Sequence, residues 1–181
     1  MFTWKKTTLD KLGFVSTGKQ THKPEYDPAL FCGGMVPLIE SQLVEGDRFF
    51  VGNARKYYND LGIKQSRIYE AETVCITNNG RVNASILKVP SCLSNQLHGF
   101  NAFENISDPR FVKYCFNFSD IRRQLATISS IGAKYLPITK LLKIPFPNPP
   151  FELQQKIGKI ISTYDLLIEN YQSQIEEAKK Q

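Results

Sequence analysis

The chain of 181 residues has no apolar run that approaches the roughly 20 residues of a membrane-spanning helix. Its N-terminal residues, Met-Phe-Thr-Trp-Lys-Lys, have no apolar stretch behind their basic pair and do not match a secretory signal peptide. Both absences argue against a membrane or exported protein and predict a cytoplasmic one. With 41% apolar residues, the chain can still build one globular core of ordinary size.

Cysteine and histidine are few and scattered. The chain has four cysteines and two histidines, no pair of cysteines has C-x-x-C spacing, and neither His22 nor His98 lies near two cysteines. A zinc site needs such clustering. We therefore expect no metal and four reduced thiols, at Cys32, Cys75, Cys92 and Cys115.

Motifs of catalysis are also missing. The chain has no G-x-S-x-G nucleophile elbow and no P-loop, and none of its eleven glycines falls in a G-x-G pattern. Its acidic residues show no paired spacing of the kind that metal-dependent nucleases use. A Ser-His or Cys-His arrangement stays open with only two histidines, but no pattern supports one.

One string does match a catalytic motif. Asn148-Pro-Pro-Phe151 fits the N-P-P-[FY] motif of amino-methyltransferases, in which the Asn and the backbone accept hydrogen bonds from the adenine amino group. That chemistry also requires a glycine-rich loop to hold S-adenosylmethionine and a doubly wound fold that would take most of this chain. We therefore expect no cofactor and no catalysis, and keep a stand-alone adenine-N6 DNA methyltransferase fragment as an alternative.

Positive charge is concentrated in the globular part of the chain. The net charge is +6, and the segment from Ile121 to Phe151 contains five basic residues and no acidic one. The segment after Phe151 is nearly neutral. A basic excess of this kind favours a polyanion as partner.

Short strands and short helices alternate over the first 147 residues. Their composition predicts strands at 12–16, 36–39 and 48–51, and helices at 54–61, 109–118 and 120–128. Gly62 is expected to end the first of these helices, and Asp108 to cap the second.

The best hairpin in the sequence lies around Asn78-Asn-Gly-Arg81. The segments 73–77 and 82–89 flank it and are rich in residues that favour strands. Because Asn-Gly readily takes positive φ angles, it predicts a tight turn between two antiparallel strands.

A proline-rich strap, Ile144-Pro-Phe-Pro-Asn-Pro-Pro150, forbids a helix and forces extended backbone. After it, residues 151–180 predict one helix of about 45 Å. Its apolar residues recur at alternating steps of mostly four and three, as in a coiled-coil seam, and this apolar seam consists of Leu153, Ile157, Ile160, Tyr164, Leu167, Tyr171, Ile175 and Ala178.

We expect the apolar seam to pack against a partner, because the helix is longer than a domain of this size usually covers. Two consecutive steps of four, at Tyr171 to Ile175 and on to Ala178, form a stutter that relaxes a left-handed supercoil. The alternative is a helix that lies on its own domain, which would usually show a wider apolar stripe.

Four polar loops carry the side chains that proteins use on DNA. They are 17–23, 78–81, 94–98 and 129–135. Asn, Gln and Arg can read base edges bidentately, whereas Lys, Arg and small hydroxyls bind phosphates. With the basic excess, these loops favour nucleic-acid recognition, and the predicted DNA-binding residues are Lys19, Arg55, Lys56, Asn78, Asn79, Arg81, Asn95, Gln96, His98, Arg122, Arg123, Lys134 and Tyr135.

Several segments, taken in chain order, match the pattern of one family. They are Trp4, Lys11-Leu-Gly13, Ser16-Thr-Gly-Lys19, Gly34-Met-Val-Pro-Leu-Ile39, Val74-Cys-Ile-Thr-Asn-Asn-Gly80, Ile144-Pro-Phe-Pro-Asn-Pro-Pro-Phe-Glu-Leu-Gln-Gln-Lys-Ile157 and Asp165-Leu-Leu-Ile168. The order resembles the specificity subunit of type I restriction–modification enzymes, over essentially the whole chain. The junction from Ile144 to Ile157 is its most specific part.

The resemblance implies a division of labour. Such subunits usually carry two target recognition domains, each followed by a conserved helix; the helices pack antiparallel as a spacer, and each domain reads one half of a split DNA site. Methylation and cleavage belong to separate methyltransferase and restriction subunits, which would be partners here. This chain has one recognition domain and one helix, so it is either a half-subunit or a fragment, and a homodimer through the helix would follow.

These observations predict an α+β protein with a DNA target recognition domain of short strands and helices at 1–147 and a coiled-coil-forming spacer helix at 148–181. The expected function is non-catalytic recognition of double-stranded DNA within a restriction system. A pure assembly adaptor, which uses the helix and never touches DNA, stays open as a second alternative.

Overall fold

A computed structural model describes residues 4–20, 27–46, 48–130 and 135–180, with only the backbone at 129 and 130. The strands are β1 (Lys6–Thr8), β2 (Gly13–Thr17), β3 (Val36–Ile39), β4 (Phe50–Val51), β5 (Tyr57–Tyr58), β6 (Ile68–Tyr69), β7 (Val74–Thr77), β8 (Ala84–Leu87), β9 (Ser91–Leu93), β10 (Leu97–Ala102) and β11 (Pro145–Pro147). The α-helices are α1 (Ser41–Val44), α2 (Asp60–Lys64), α3 (Pro109–Cys115), α4 (Ser119–Ser130), α5 (Ile138–Leu141) and α6 (Phe151–Ala178). The predicted α+β class is confirmed.

A five-stranded sheet in the order β2-β10-β7-β8-β4 forms the centre of the domain. Its pairs are antiparallel except for β4 with β8, which is parallel. Successive side chains of a strand point to opposite faces. Accordingly, Val74 and Ile76 of β7 lie in the core cluster that includes Phe111 of α3, whereas Cys75 lies in a second cluster with Leu93 of β9. The sheet is therefore covered on both faces.

The second cover is a four-stranded sheet in the order β5-β3-β9-β6. Strands β3 and β9 are parallel, and the two other pairs are antiparallel. Strands β1 and β11 form a two-stranded antiparallel sheet, in which the proline strap pairs with a segment near the N-terminus. The extended strap that the prolines predict is thus confirmed, and Phe146 within it is fully buried.

Most of the predicted elements are confirmed near their expected bounds, including β2, β3, β4, α3 and α4. The Asp108 cap is confirmed as well, because its Oδ1 accepts a 2.9 Å hydrogen bond from the Phe111 amide. The helix predicted at 54–61 is wrong. Tyr57 and Tyr58 form β5 instead, and α2 starts at Asp60 behind an Asn59 cap and contains Gly62.

Burial of Tyr58 explains that error. The ring is fully buried and stacks on Phe31 with centroids 5.2 Å apart, while its backbone pairs with Val36 of β3. Contacts between distant segments override the local helix preference here.

The predicted hairpin of β7 and β8 is confirmed, but the prediction of a tight turn between them is wrong. The Thr77 amide donates to the Asn83 carbonyl, so the loop spans residues 78–82. Only Gly80 in this loop takes a positive φ, of 61°. The Asn78 backbone binds Gln96 and Leu136 rather than continuing the ladder, which widens the loop.

Helix α6 starts directly after Pro150 and extends for 28 residues, about 42 Å. No helix in the described ranges is long and apolar enough to cross a membrane. The long helix that the sequence predicts is confirmed.

The side of α6 that meets the domain includes a row of polar and small residues, hereafter the docking face, which consists of Gln154, Gly158, Ser162, Asp165 and Glu169. Ile157 and Ile161 beside this row pack against the main core. A Cβ on Gly158 would lie 2.6 Å from Oδ1 of Asp108 and 3.0 Å from the Phe111 amide, so only glycine permits this close approach. The apolar seam of α6 is centred about 140° around the helix from the centre of the docking face, at about 100° per residue.

Candidate nucleic-acid interface

The structure brings together described parts of all four polar loops that the sequence singles out. We call this the loop junction and define it as residues 17–20, 78–83, 94–98 and 135–136. Strand register begins the convergence, because β10 pairs with both β2 and β7 and places His98 opposite Thr17 and Ile76. The ends of three neighbouring strands therefore deliver three loops to one edge of the sheet.

Buried hydrogen bonds join the fourth loop to the others. The amide of Leu136 donates to the Asn78 carbonyl at 2.5 Å, and the Leu136 carbonyl lies 2.8 Å from Nε2 of His98. The other ring nitrogen of His98 lies 3.1 Å from the Thr17 hydroxyl. Burial lowers the pKa of His98, although its hydrogen bond to Leu136 acts in the opposite direction.

Asn78 connects the hairpin loop to the segment before β10. Its amide donates to the Gln96 carbonyl, and its Nδ2 donates to the Asn95 carbonyl, both at 3.0 Å. The side chain is only 4% exposed. Asn78 therefore supports the shape of the junction with its backbone and amide group, beneath the surface.

Gly18 lets the first loop lie against the third. Its amide donates to the Leu97 carbonyl at 2.8 Å, and a Cβ at this position would lie 2.1 Å from the Ser94 carbonyl oxygen. Any side chain would thus separate the two loops. Its neighbour Lys19 is exposed.

Exposed side chains on the loop junction are suited to a nucleic-acid surface. Asn95, Arg81, Lys19 and Tyr135 are exposed, whereas Gln96 and Asn79 are half-buried. The side-chain oxygen Oε1 of Gln96 accepts a 2.9 Å hydrogen bond from Ser41, which fixes the orientation of the Gln96 amide group. The junction thus carries both amide and cationic side chains.

A cavity of about 390 Å³ extends the junction toward α4. Gly80, Arg81 and Val82 line one side, and Arg122 and Leu125 line the other. Two guanidinium groups therefore flank an apolar floor. The Arg122 guanidinium also donates to Oδ1 of Asn117, 2.5 Å away.

The remaining predicted residues lie farther from the loop junction or outside the described ranges. Lys56 pairs with Glu40 at 3.5 Å, next to the Ser41 that binds Gln96, and Arg55 beside it is exposed. Arg123 instead pairs with Asp120 at 3.2 Å, which also binds Lys6 of β1. Lys134 lies outside the described residues.

Sequence reasoning missed Thr17, Ser41 and Leu136 as parts of this site. Thr17 and Ser41 bind predicted site residues through their hydroxyls, and Leu136 does so through its backbone. Of these three residues, only Thr17 could have been predicted from the sequence, since it is the first residue of one of the polar loops. The other two are joined to the site by long-range pairing that composition does not encode.

The apolar seam of α6 is the second candidate surface. Ile157 packs against the main core, while the other seven residues are exposed, for example Tyr164 at 65% and Tyr171 at 62%. The helix therefore lies on its own domain, in line with the alternative predicted from the sequence, and it contacts the domain through the docking face. Its seam stays open.

The methyltransferase-like string has a structural use at the base of α6. Oδ1 of Asn148 accepts a 3.1 Å hydrogen bond from the Gln154 side chain, and the backbone amide of Asn148 donates to the Lys5 carbonyl. Gln154 also donates to the Pro149 carbonyl and accepts from the Asp108 amide. In the ranges described, no group of three His, Cys, Asp or Glu residues could hold a metal ion.

Comparisons with known proteins agree with this architecture. The specificity subunit of the type I restriction enzyme MjaIX from Methanocaldococcus jannaschii is 24% identical over 190 residues, which cover 98% of this chain and 41% of that protein. The solved HsdS subunit from Thermoanaerobacter tengcongensis matches with a TM-score of 0.66 and 15% identity, over 97% of this chain and 39% of that one. The solved type I S subunit from M. genitalium matches with a TM-score of 0.60 and 19% identity, over 98% and 43%.

These likenesses define the class of fold, an α+β domain with a long C-terminal helix as in solved type I specificity subunits. The family model described as "Type I restriction modification DNA specificity domain" matches residues 1–180. The chain belongs to that family. It spans about two fifths of the length of the relatives that it matches.

Proposed function

We propose that this chain is a DNA-reading component of a type I restriction–modification system and that the loop junction is its contact with double-stranded DNA. The observation that carries the proposal is the convergence of four polar loops on one edge of the central sheet. The segment that carries Asn95 and Gln96 is hydrogen-bonded to Asn78, and Gly18 is hydrogen-bonded to Leu97, so the loops that carry the exposed cations Lys19 and Arg81 meet at this segment.

The roles within the junction follow from side-chain chemistry. Asn95 can offer a donor and an acceptor to a base edge, and Gln96 can offer its NH₂ group, since its oxygen already accepts from Ser41. Asn79 can offer only its NH₂ group, because its side-chain oxygen is buried. Lys19, Arg81 and Arg122 would bind phosphates, and Tyr135 would pack against the sugar–phosphate backbone. Arg55 and Lys56 would extend the phosphate contact beyond Ser41. Lys134 keeps its place as a predicted phosphate ligand, whereas Arg123, which pairs with Asp120, is left outside the proposed contact.

Selection from a random duplex pool tests this function for any target sequence. The chain is incubated with 30-base-pair duplexes of random sequence, and the bound fraction is sequenced over several rounds. Enrichment of one sequence, with an affinity that falls as salt rises, is the expected result. Absence of salt-dependent binding would instead favour the assembly adaptor.

We further propose that the apolar seam pairs with a second helix. In a homodimer, two identical domains related by a twofold axis would read a palindromic site with a fixed gap. The open seam supports this, because seven apolar residues face away from the domain on a helix of about 42 Å. The division at 147/148 between reading domain and spacer helix belongs to the same proposal.

Sedimentation of two charge variants tests the pairing. Leu167→Glu places a carboxylate in the seam and is expected to yield a monomer. Gln155→Glu adds the same charge at an exposed position on another side of α6 and is expected to leave the mass unchanged. A wild-type monomer, or equal behaviour of the two variants, would contradict the proposal.

Catalysis would then belong to other subunits. We propose that the chain docks methyltransferase and restriction subunits and transfers no methyl group itself. Asn148 supports this, because its side chain binds Gln154 at the base of α6. Labelled S-adenosylmethionine with DNA should yield methylated product only when methyltransferase subunits are added; incorporation by the chain alone would favour the methyltransferase alternative.

A further inference from the structure

His98 is a buried histidine whose two ring nitrogens bind two different loops. Its side chain is 3% exposed on β10. Nδ1 lies 3.1 Å from the hydroxyl of Thr17, where β2 ends, and Nε2 lies 2.8 Å from the carbonyl of Leu136, which follows the loop before α5. These two partners are far apart in sequence and belong to different elements.

The chemistry of the partners fixes the tautomer. A carbonyl oxygen can only accept, so Nε2 carries the proton and donates to Leu136. Nδ1 of the neutral ring is then an acceptor, and the Thr17 hydroxyl donates to it. Both polar atoms of the ring are engaged, and no donor or acceptor is left for a base edge.

The hydrogen bonds continue from Leu136 into the other two loops. Its amide donates to the Asn78 carbonyl, and Asn78 in turn donates from its amide to Gln96 and from its side chain to Asn95. A continuous path therefore connects Thr17 with Asn95 and Gln96 through His98. Of these side chains, only Asn95 is exposed.

We propose that His98 is a positioning residue for DNA reading, which fixes Thr17 and Leu136 relative to Asn95 and Gln96. This rests on the proposed function, and it replaces direct DNA contact as the role of His98. Loss of either hydrogen bond should loosen the loops against each other. Reading of the correct bases needs their exact spacing, whereas non-specific phosphate attraction does not.

Four substitutions separate the two hydrogen bonds. Thr17→Val removes the hydroxyl at nearly constant shape, and Thr17→Ser restores it. His98→Gln keeps a donor near the Nε2 position, and His98→Asn keeps an acceptor near Nδ1. Ser107→Ala is the matched control, since Ser107 also donates a buried hydrogen bond to a carbonyl, that of Leu12, on the side of the domain near α6.

Two measurements on the full chain detect positioning. The first is amide hydrogen exchange at Gly18 and Leu136, whose amides bind Leu97 and Asn78. The second is the ratio of affinities for the duplex that wild-type protein enriches and for random duplex. Thr17→Val and His98→Gln lose the bond at Thr17 and should speed exchange at Gly18, whereas His98→Asn loses the bond to Leu136 and should speed exchange there. All three should lower the affinity ratio roughly tenfold. Random-duplex affinity and its salt slope should stay unchanged, and Thr17→Ser should recover both readouts.

Three results would overturn the proposal. They are unchanged exchange both at Gly18 in Thr17→Val and at Leu136 in His98→Asn, an affinity ratio that falls no further than in Ser107→Ala, or an equal loss for random and enriched duplex. Failure of wild-type protein to bind any duplex would instead refute the proposed function. Hydrogen exchange would still show in that case whether His98 couples the loops.

Discussion

The hydroxyl of Tyr114 donates a 2.5 Å hydrogen bond to Oδ2 of Asp165 and so joins α3 to the middle of α6. Nζ of Lys113 lies 3.9 Å from the same carboxylate oxygen and 4.5 Å from the centre of the Tyr114 ring. Farther along α6, the Glu169 carboxylate accepts from the Phe49 amide at 2.7 Å. These polar contacts hold the docking face of α6 against the domain, and the seven exposed residues of the apolar seam lie on another side of the helix.

Asp165→Asn should destabilise the chain by about 2 kcal/mol. Lys113 is 1% exposed, and the negative charge 3.9 Å from its Nζ would be lost. Loss of one partner from a fully buried pair typically costs about 3–5 kcal/mol, and the partial exposure of Asp165 lowers this. Urea unfolding measures the change. Asp120→Asn, at an exposed ion pair, is the control and should shift stability by less than about 0.5 kcal/mol.

Gly158→Ala should also destabilise, although alanine favours a helix by roughly 1 kcal/mol over glycine. The new Cβ would meet Oδ1 of Asp108 at 2.6 Å, and that oxygen caps α3. Either the cap or the packing of α6 on α3 must give way, so we expect a net loss of about 1–3 kcal/mol in urea unfolding. Gln172→Ala on the exposed part of α6 should be neutral or slightly stabilising; a gain from both changes would show that α6 does not pack closely here.

The sequence predicted what depends on local pattern. Local composition predicted β2 and β3, the prolines predicted the strap, and apolar spacing predicted α6 with its exposed seam. It failed at Tyr57 and Tyr58, where burial of one ring against Phe31 decides the backbone.

The candidate site shows the same division. The four polar loops were recognisable by composition, but their convergence depends on the order of β2, β10 and β7 in the sheet. Composition also placed Asn78 and His98 among DNA contacts, because it cannot distinguish a surface amide or imidazole from one that is buried and bonded.

Stability should fall when the pH drops below about 6.5, through His98. Burial lowers the pKa of His98 in the folded chain below its ordinary value of 6.5. Between the two values the unfolded chain binds the proton and the folded chain does not, so acidification favours unfolding. Above pH 6.5 neither form is protonated and the effect vanishes. Urea midpoints from about pH 7.5 to 5 measure this, and His98→Asn should flatten the slope; an equal slope in both proteins would assign it to other groups.

Lys19→Ala and Asn95→Ala should weaken DNA binding in different ways. Removal of one phosphate contact lowers the slope of log affinity against log salt by about 0.9 and acts on all sequences. Removal of a base-reading amide should leave that slope unchanged and cost about 1–3 kcal/mol on the enriched duplex only. Fluorescence anisotropy between about 50 and 200 mM salt, a range over which such slopes are pronounced, separates the two.

Arg123→Ala is the matched control for these two variants, because its guanidinium binds Asp120 away from the loop junction. It removes one positive charge, as Lys19→Ala does, and should change neither the salt slope nor the selectivity. Since both charge losses lower the net charge equally, a drop in slope for Lys19→Ala alone would locate the phosphate contact at the loop junction. An equal drop in both would indicate that general charge, rather than the junction, attracts the duplex.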